Sequence, residues 1–142
     1  MSVLSKISSL MVEADKPVKV DLLNPITGGP LLDKDGKSAY LEVLSNDSEV
    51  ARTHERKVAD RRFANRNRKI VSSELEADTI ELLVKLVRGW YLVSPQGEAL
   101  DVPFSEAAAR EIFSTAGARW ILEAASSAVA TREHFLPTTP KS

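Results

Sequence analysis

The chain has 142 residues, no cysteine, 19 Lys and Arg against 20 Asp and Glu, and a formal net charge of −1 at pH 7. That length supports one domain with a core that needs no covalent staples. The lack of Cys excludes disulfides and thiolate metal sites, and the near-neutral charge gives no global attraction to nucleic acid or to a membrane surface.

Residues 1–16 are expected to form an arm, flexible or briefly helical. It is Ser-rich, with Val3, Leu4, Ile7, Leu10 and Met11 interspersed, and lacks the unbroken apolar run of a secretory leader. Pro17 ends it, because the residue before a proline is pushed out of the helical region. Val18, Val20 and Leu22 then alternate with Lys19 and Asp21, the period of a half-buried strand. Asn24-Pro25, Gly28-Gly29-Pro30 and Asp33-Lys34-Asp35-Gly36 are turn chemistry. Residues 39–44 read as a second strand, so a small antiparallel ribbon is expected. Such a ribbon is not stable alone and must pack on helices or on another subunit.

The first predicted helix starts at Asn46, with Glu49 as its capping-box partner, and runs to about Lys69. Its apolar content is thin: Val50, Ala51, Val58, Ala59, Phe63 and Ala64. The second starts at a Ser73–Glu76 capping box and carries Leu75, Thr79, Leu82, Leu83, Leu86, Val87 and Trp90 at helical spacing. A turn with Gly97 follows. The third starts at Ser105, with Phe104 stapled onto Ala109, and ends near Gly117. The fourth runs from Arg119 to Phe135, burying Ile121, Ala124, Ala125, Ala128 and Val129. Residues 137–142, with Pro137 and Pro140, are expected to be a disordered tail. The fold class is therefore α+β: one domain over residues 17–136, with an N-terminal β-ribbon at 17–45 and a body of about four helices at 46–136. Trp90, Phe104, Trp120 and Phe135 punctuate element ends and are expected to be structural anchors between helices.

The basic helix is the local charge anomaly. Arg52, Arg56, Lys57, Arg61, Arg62, Arg66, Arg68 and Lys69 meet only Glu55 and Asp60. It offers phosphate contacts but no base-reading motif, and Glu74, Glu76, Asp78 and Glu81 follow directly, so an antiparallel helical hairpin would set basic against acidic surface. Asp33, Asp35, Gly36 and Glu42 imitate calcium-loop spacing, but Leu31 holds the first ligand position and strands flank the loop, which favours a tight Asp-Gly turn. His54 has no second histidine four residues on, and His134 stands alone; both are expected at the surface or an interface. No Ser sits in a nucleophile elbow, so the expectation is a non-enzyme with no catalytic, metal or cofactor site.

Four stretches carry a family likeness: Lys16-Pro17-Val18-Lys19-Val20-Asp21-Leu22-Leu23-Asn24-Pro25-Ile26-Thr27-Gly28; Leu41-Glu42-Val43-Leu44-Ser45-Asn46-Asp47-Ser48 leading to Ala59-Asp60-Arg61-Arg62; Glu81-Leu82-Leu83 through Gly89-Trp90; and Val102-Pro103-Phe104-Ser105-Glu106 with Arg119-Trp120-Ile121 and Arg132-Glu133-His134-Phe135-Leu136. In order and spacing this layout resembles the tail assembly chaperones of long-tailed bacteriophages and prophages. The turn at 33–37 and the Tyr91-Leu92-Val93 continuation depart from the pattern. The resemblance implies a host-cytoplasmic protein that binds the helix-rich tape measure protein, keeps it soluble, helps recruit tail tube subunits and is absent from the mature virion. The expected partner surfaces are Arg61, Arg62 and Arg66 on the basic helix, and the strand face of Val18, Val20 and Leu22, through which homo-oligomers are expected to form. Two alternatives stay open: a structural head–tail connector or tail completion protein, and a nucleic-acid-binding regulator using the basic helix at 52–69.

Overall fold

In the computed structural model, which describes residues 3–66 and 69–136, the alternating segment forms strand β1 (Val18–Asp21), and β2 is Tyr40–Val43. They pair antiparallel, with Val20 opposite Leu41. Two turns fill the connection. In the first, Asn24 Oδ1 accepts from the Ile26 N–H at 2.9 Å. In the second, Asp33 Oδ1 accepts from the N–H groups of Asp35 and Lys37, both at 2.8 Å. Gly36 sits there at φ +82°, the left-handed region an L side chain resists. The calcium-like spacing is thus a turn closed on its own backbone.

The sheet has a third strand that the periodicity assigned to a helix. The expected second helix stops at Leu86, and Val87–Tyr91 forms β3, antiparallel to β2 in the order β1-β2-β3. Leu83, Leu86, Val87 and Trp90 fit a helical stripe, but Val87, Trp90 and Tyr91 also have high strand propensity, and the open edge of β2 offers them ladder hydrogen bonds. Tyr91 faces Tyr40, Trp90 faces Leu41 and Gly89 faces Glu42; the register then shifts, so that Val87 faces Val43 and Arg88 is the extra residue. The fold is α+β, but the sheet is built from both halves of the chain.

Four longer helices make the body: α2 (Glu49–Ala64), α3 (Ser72–Leu86), α4 (Glu106–Ser114) and α5 (Arg119–Ala130). A short α1 (Val3–Lys6) opens the arm. The α2 cap is Ser48, not Asn46: its side chain accepts from the Ala51 N–H at 3.3 Å. The helix ends at Ala64, because Asn65 leaves the helical region. Ser73 lies inside α3, whose N-cap, Val71, makes no side-chain cap bond. The expected cap at Ser105 is present, accepting from the Ala108 N–H at 3.0 Å. Helix α4 ends at Ser114, and Gly117 lies in a separate turn of 3-10 helix, Ala116–Ala118. The last helix breaks at Thr131, and Arg132–Phe135 forms another such turn, as Ser8–Leu10 does in the arm. The expected tail, 137–142, lies outside the described residues.

Helix α3 packs on α2, α4 and α5, and α5 also meets β2. The core between sheet and helices holds Leu22, Leu41, Val43, Leu83, Leu86, Val87, Phe113, Ala125 and Phe135. The root of the arm is fastened to this body at three consecutive residues. The Glu13 N–H donates to Phe135 O at 2.7 Å, the Ser45 N–H to Ala14 O at 3.2 Å, and the Glu49 N–H to Asp15 Oδ1 at 2.8 Å.

Candidate functional site

An open groove of about 880 Å³ lies between the outer edge of β1 and helix α5. Three features of the chain make it. Strand β1 is the end of the sheet order, so among the described residues no strand lies beyond it. The Asn24 turn carries Leu23 and Pro25 outward to form one wall. Opposite, α5 presents Ala124 and Ala128, one turn apart; these short side chains leave a shallow apolar floor, with Trp120 at one end. Lys19, Asp21, Glu123, Ser127 and His134 supply a polar rim. An apolar floor with a sparse polar rim suits an amphipathic segment laid into it.

The expected partner residues do not gather there. Of the strand set, Leu22 is buried, 2 % exposed, and Val18 and Val20 are half-buried against the core. Their shared face is turned inward and is not an open face for self-association; only Val20 touches the groove. Arg61 and Arg62 sit on α2 and both engage Asp78 of α3, with nitrogen–oxygen separations of 2.7 and 3.1 Å. Arg61 holds the Asp78 carboxyl below the ordinary aspartate range. The acidic surface for this basic helix is therefore its own neighbour. Arg56 pairs similarly with Glu49 at 2.7 Å. Arg66, just past α2, stacks its guanidinium 5.4 Å from the centroid of Phe63, a ring that is itself 71 % exposed.

Compared with protein-family models, curated proteins and solved structures, the chain matches none.

The four aromatic anchors occupy three different places. The rings of Trp90 and Phe104 meet edge to face at 4.9 Å, and the Trp90 indole N–H donates to Val102 O at 2.7 Å, which ties the segment before α4 to β3. Phe135 is buried, 1 % exposed. Trp120 is half-buried and lines the groove. His54, expected at the surface or an interface, is buried in the contact of α2 with α3, its Nε2 3.1 Å from Asp78 O. His134 is exposed at the groove rim.

Sequence reasoning missed the groove as such. Ala124 and Ala128 were legible as a helix stripe, but the space above them follows from where the sheet ends. Among the described residues, no three His, Cys, Asp or Glu side chains converge as metal ligands, and no helix is long and apolar enough to cross a membrane.

Proposed function

We propose that this protein is a non-enzymatic tail assembly chaperone of a long-tailed phage or prophage, acting in the host cell cytoplasm. It holds apolar helical segments of the tape measure protein, keeps that client soluble, helps recruit tail tube subunits and is left out of the finished virion. The four stretches that resemble the family support the assignment. The observation that carries the mechanism is the groove: an apolar floor of Ala124 and Ala128 lined also by Trp120 and Leu23, and open to solvent. A helix with an apolar stripe buries that stripe in such a channel while its polar face stays in water. Release then needs no nucleotide, because the client leaves when tube subunits bind it better than the groove does.

The regulator alternative draws less support. Arg56, Arg61 and Arg62 each pair with a carboxylate of the chain itself, which lowers the positive charge that α2 offers to phosphates. The test is to sequence the genes that flank this one and to co-express the tape measure protein that the proposal expects among them. The client is expected to be insoluble alone and to appear in the soluble fraction together with this chain. A client that stays insoluble, or a gene with no tail tube or tape measure neighbours, overturns it.

A further inference from the structure

We propose that the N-terminal arm of one copy is the ligand of the β1–α5 groove of another. The arm is an apolar surface without a cover. Val3 and Leu10 are each 72 % exposed and Leu4 is 61 % exposed, with Ile7 and Met11 also open to solvent. Residues 3, 4, 7, 10 and 11 share one face of a helix, while Ser5, Ser8 and Ser9 lie off it. That period excludes a fourth strand added to β1, which would need alternation, and fits a helix laid in a channel. In the free chain the arm is an α-helix at Val3–Lys6 followed by a turn of 3-10 helix at Ser8–Leu10; joined into one helix on docking, residues 3–11 would span about 13 Å.

The arm and the groove lie close together, yet the single chain does not join them. The arm is rooted at Glu13 on Phe135 O, next to the rim residue His134. Residues 3–11 are all exposed, and the backbone hydrogen bonds of the arm among the described residues close within residues 3–11. One molecule thus exposes both an amphipathic segment and an open apolar channel, and a second copy satisfies both. Lys6 borders the arm's apolar stripe, and the groove rim carries two carboxylates, Asp21 and Glu123, against Lys19. A contact between unlike patches joins copies arm to groove, which makes assembly depend on concentration and leaves the groove available to a client that competes with the arm. The assignment stands on the arm and the groove alone and does not require the tail-assembly reading.

The test is complementation by light scattering coupled to size exclusion. The arm variant Leu4→Asp/Ile7→Asp keeps an intact groove. The groove variant Ser127→Trp fills the channel from an exposed position and keeps an intact arm; Leu23→Asp at the rim serves as a second groove variant should the first disturb the helical circular dichroism. The parent is expected to show a mass above one chain that rises with concentration. Each variant alone is expected at the mass of one chain, and an equimolar mixture at two chains with nothing larger. A parent that stays at one chain at every concentration, variants that assemble like the parent, or a mixture that stays at one chain each overturn the proposal. Loss of tape measure binding in a variant that still assembles bears on the client reading and leaves this one standing.

Discussion

Arg61 on α2 grips the Asp78 carboxylate of α3 through both oxygens at 2.7 Å, and Arg62 adds a third hydrogen bond at 3.1 Å. The pair turns an apparent excess of positive charge into a helix–helix clamp, with His54 Nε2 on the Asp78 carbonyl completing the contact. Asp78→Asn is expected to lower stability by about 1 kcal/mol, the upper range for exposed pairs, because the arginines remain half in water. Urea unfolding of parent and variant measures it. The sign with pH follows from the lowered Asp78 value. The clamp's contribution is fully present above the ordinary aspartate value of 3.8 and is lost as pH falls from there through the folded value. The parent's advantage over Asp78→Asn is therefore expected to shrink below pH 3.8.

Asp33 and Tyr91 make a second, separate titrating pair. The Tyr91 hydroxyl donates to Asp33 Oδ2, bridging the turn after β1 to the end of β3. This bond is the main reason the Asp33 carboxyl lies below its ordinary value, and it raises the Tyr91 phenol in return. In Tyr91→Phe, carbon-detected NMR titration is expected to show Asp33 moving back up toward the ordinary aspartate range. An unchanged Asp33 midpoint would mean that the backbone N–H groups of Lys37 and Asp35 alone hold it down.

The anchors are expected to separate by burial. Phe135→Ala removes a fully buried ring and is expected to cost about 3–5 kcal/mol. Trp120→Ala removes a half-buried ring at the groove and is expected to cost clearly less than that. Thermal melts rank them; equal losses would place Trp120 in the core and not on the groove wall.

Much of the fold was legible where local chemistry decides it. The alternation at residues 18–22, the Asp33–Gly36 turn and the Ser105 cap each act within a few residues, and each is present. Strand β3 was not legible, because Val87 and Trp90 extend a genuine helical stripe, and only the distant edge of β2 makes the strand the better solution. The displaced α2 cap has a similar origin. Asn46 is drawn off by its N–H bond to Val129 O, a tertiary contact, which leaves Ser48 to cap α2. The groove was illegible for a third reason: it is the space left where the sheet ends, and no single segment encodes it. The basic helix shows the opposite case, since the acidic run that follows it already pointed to the hairpin that pairs them.

The most direct measurement is site-specific photocrosslinking in cells that co-produce the tape measure protein. A benzophenone side chain placed at Ala124, on the groove floor, is expected to capture the tape measure protein, and one placed at Lys57, exposed on α2, is expected to capture none. Capture from position 57 with none from position 124, while the two proteins still co-purify, would contradict the groove as the client site.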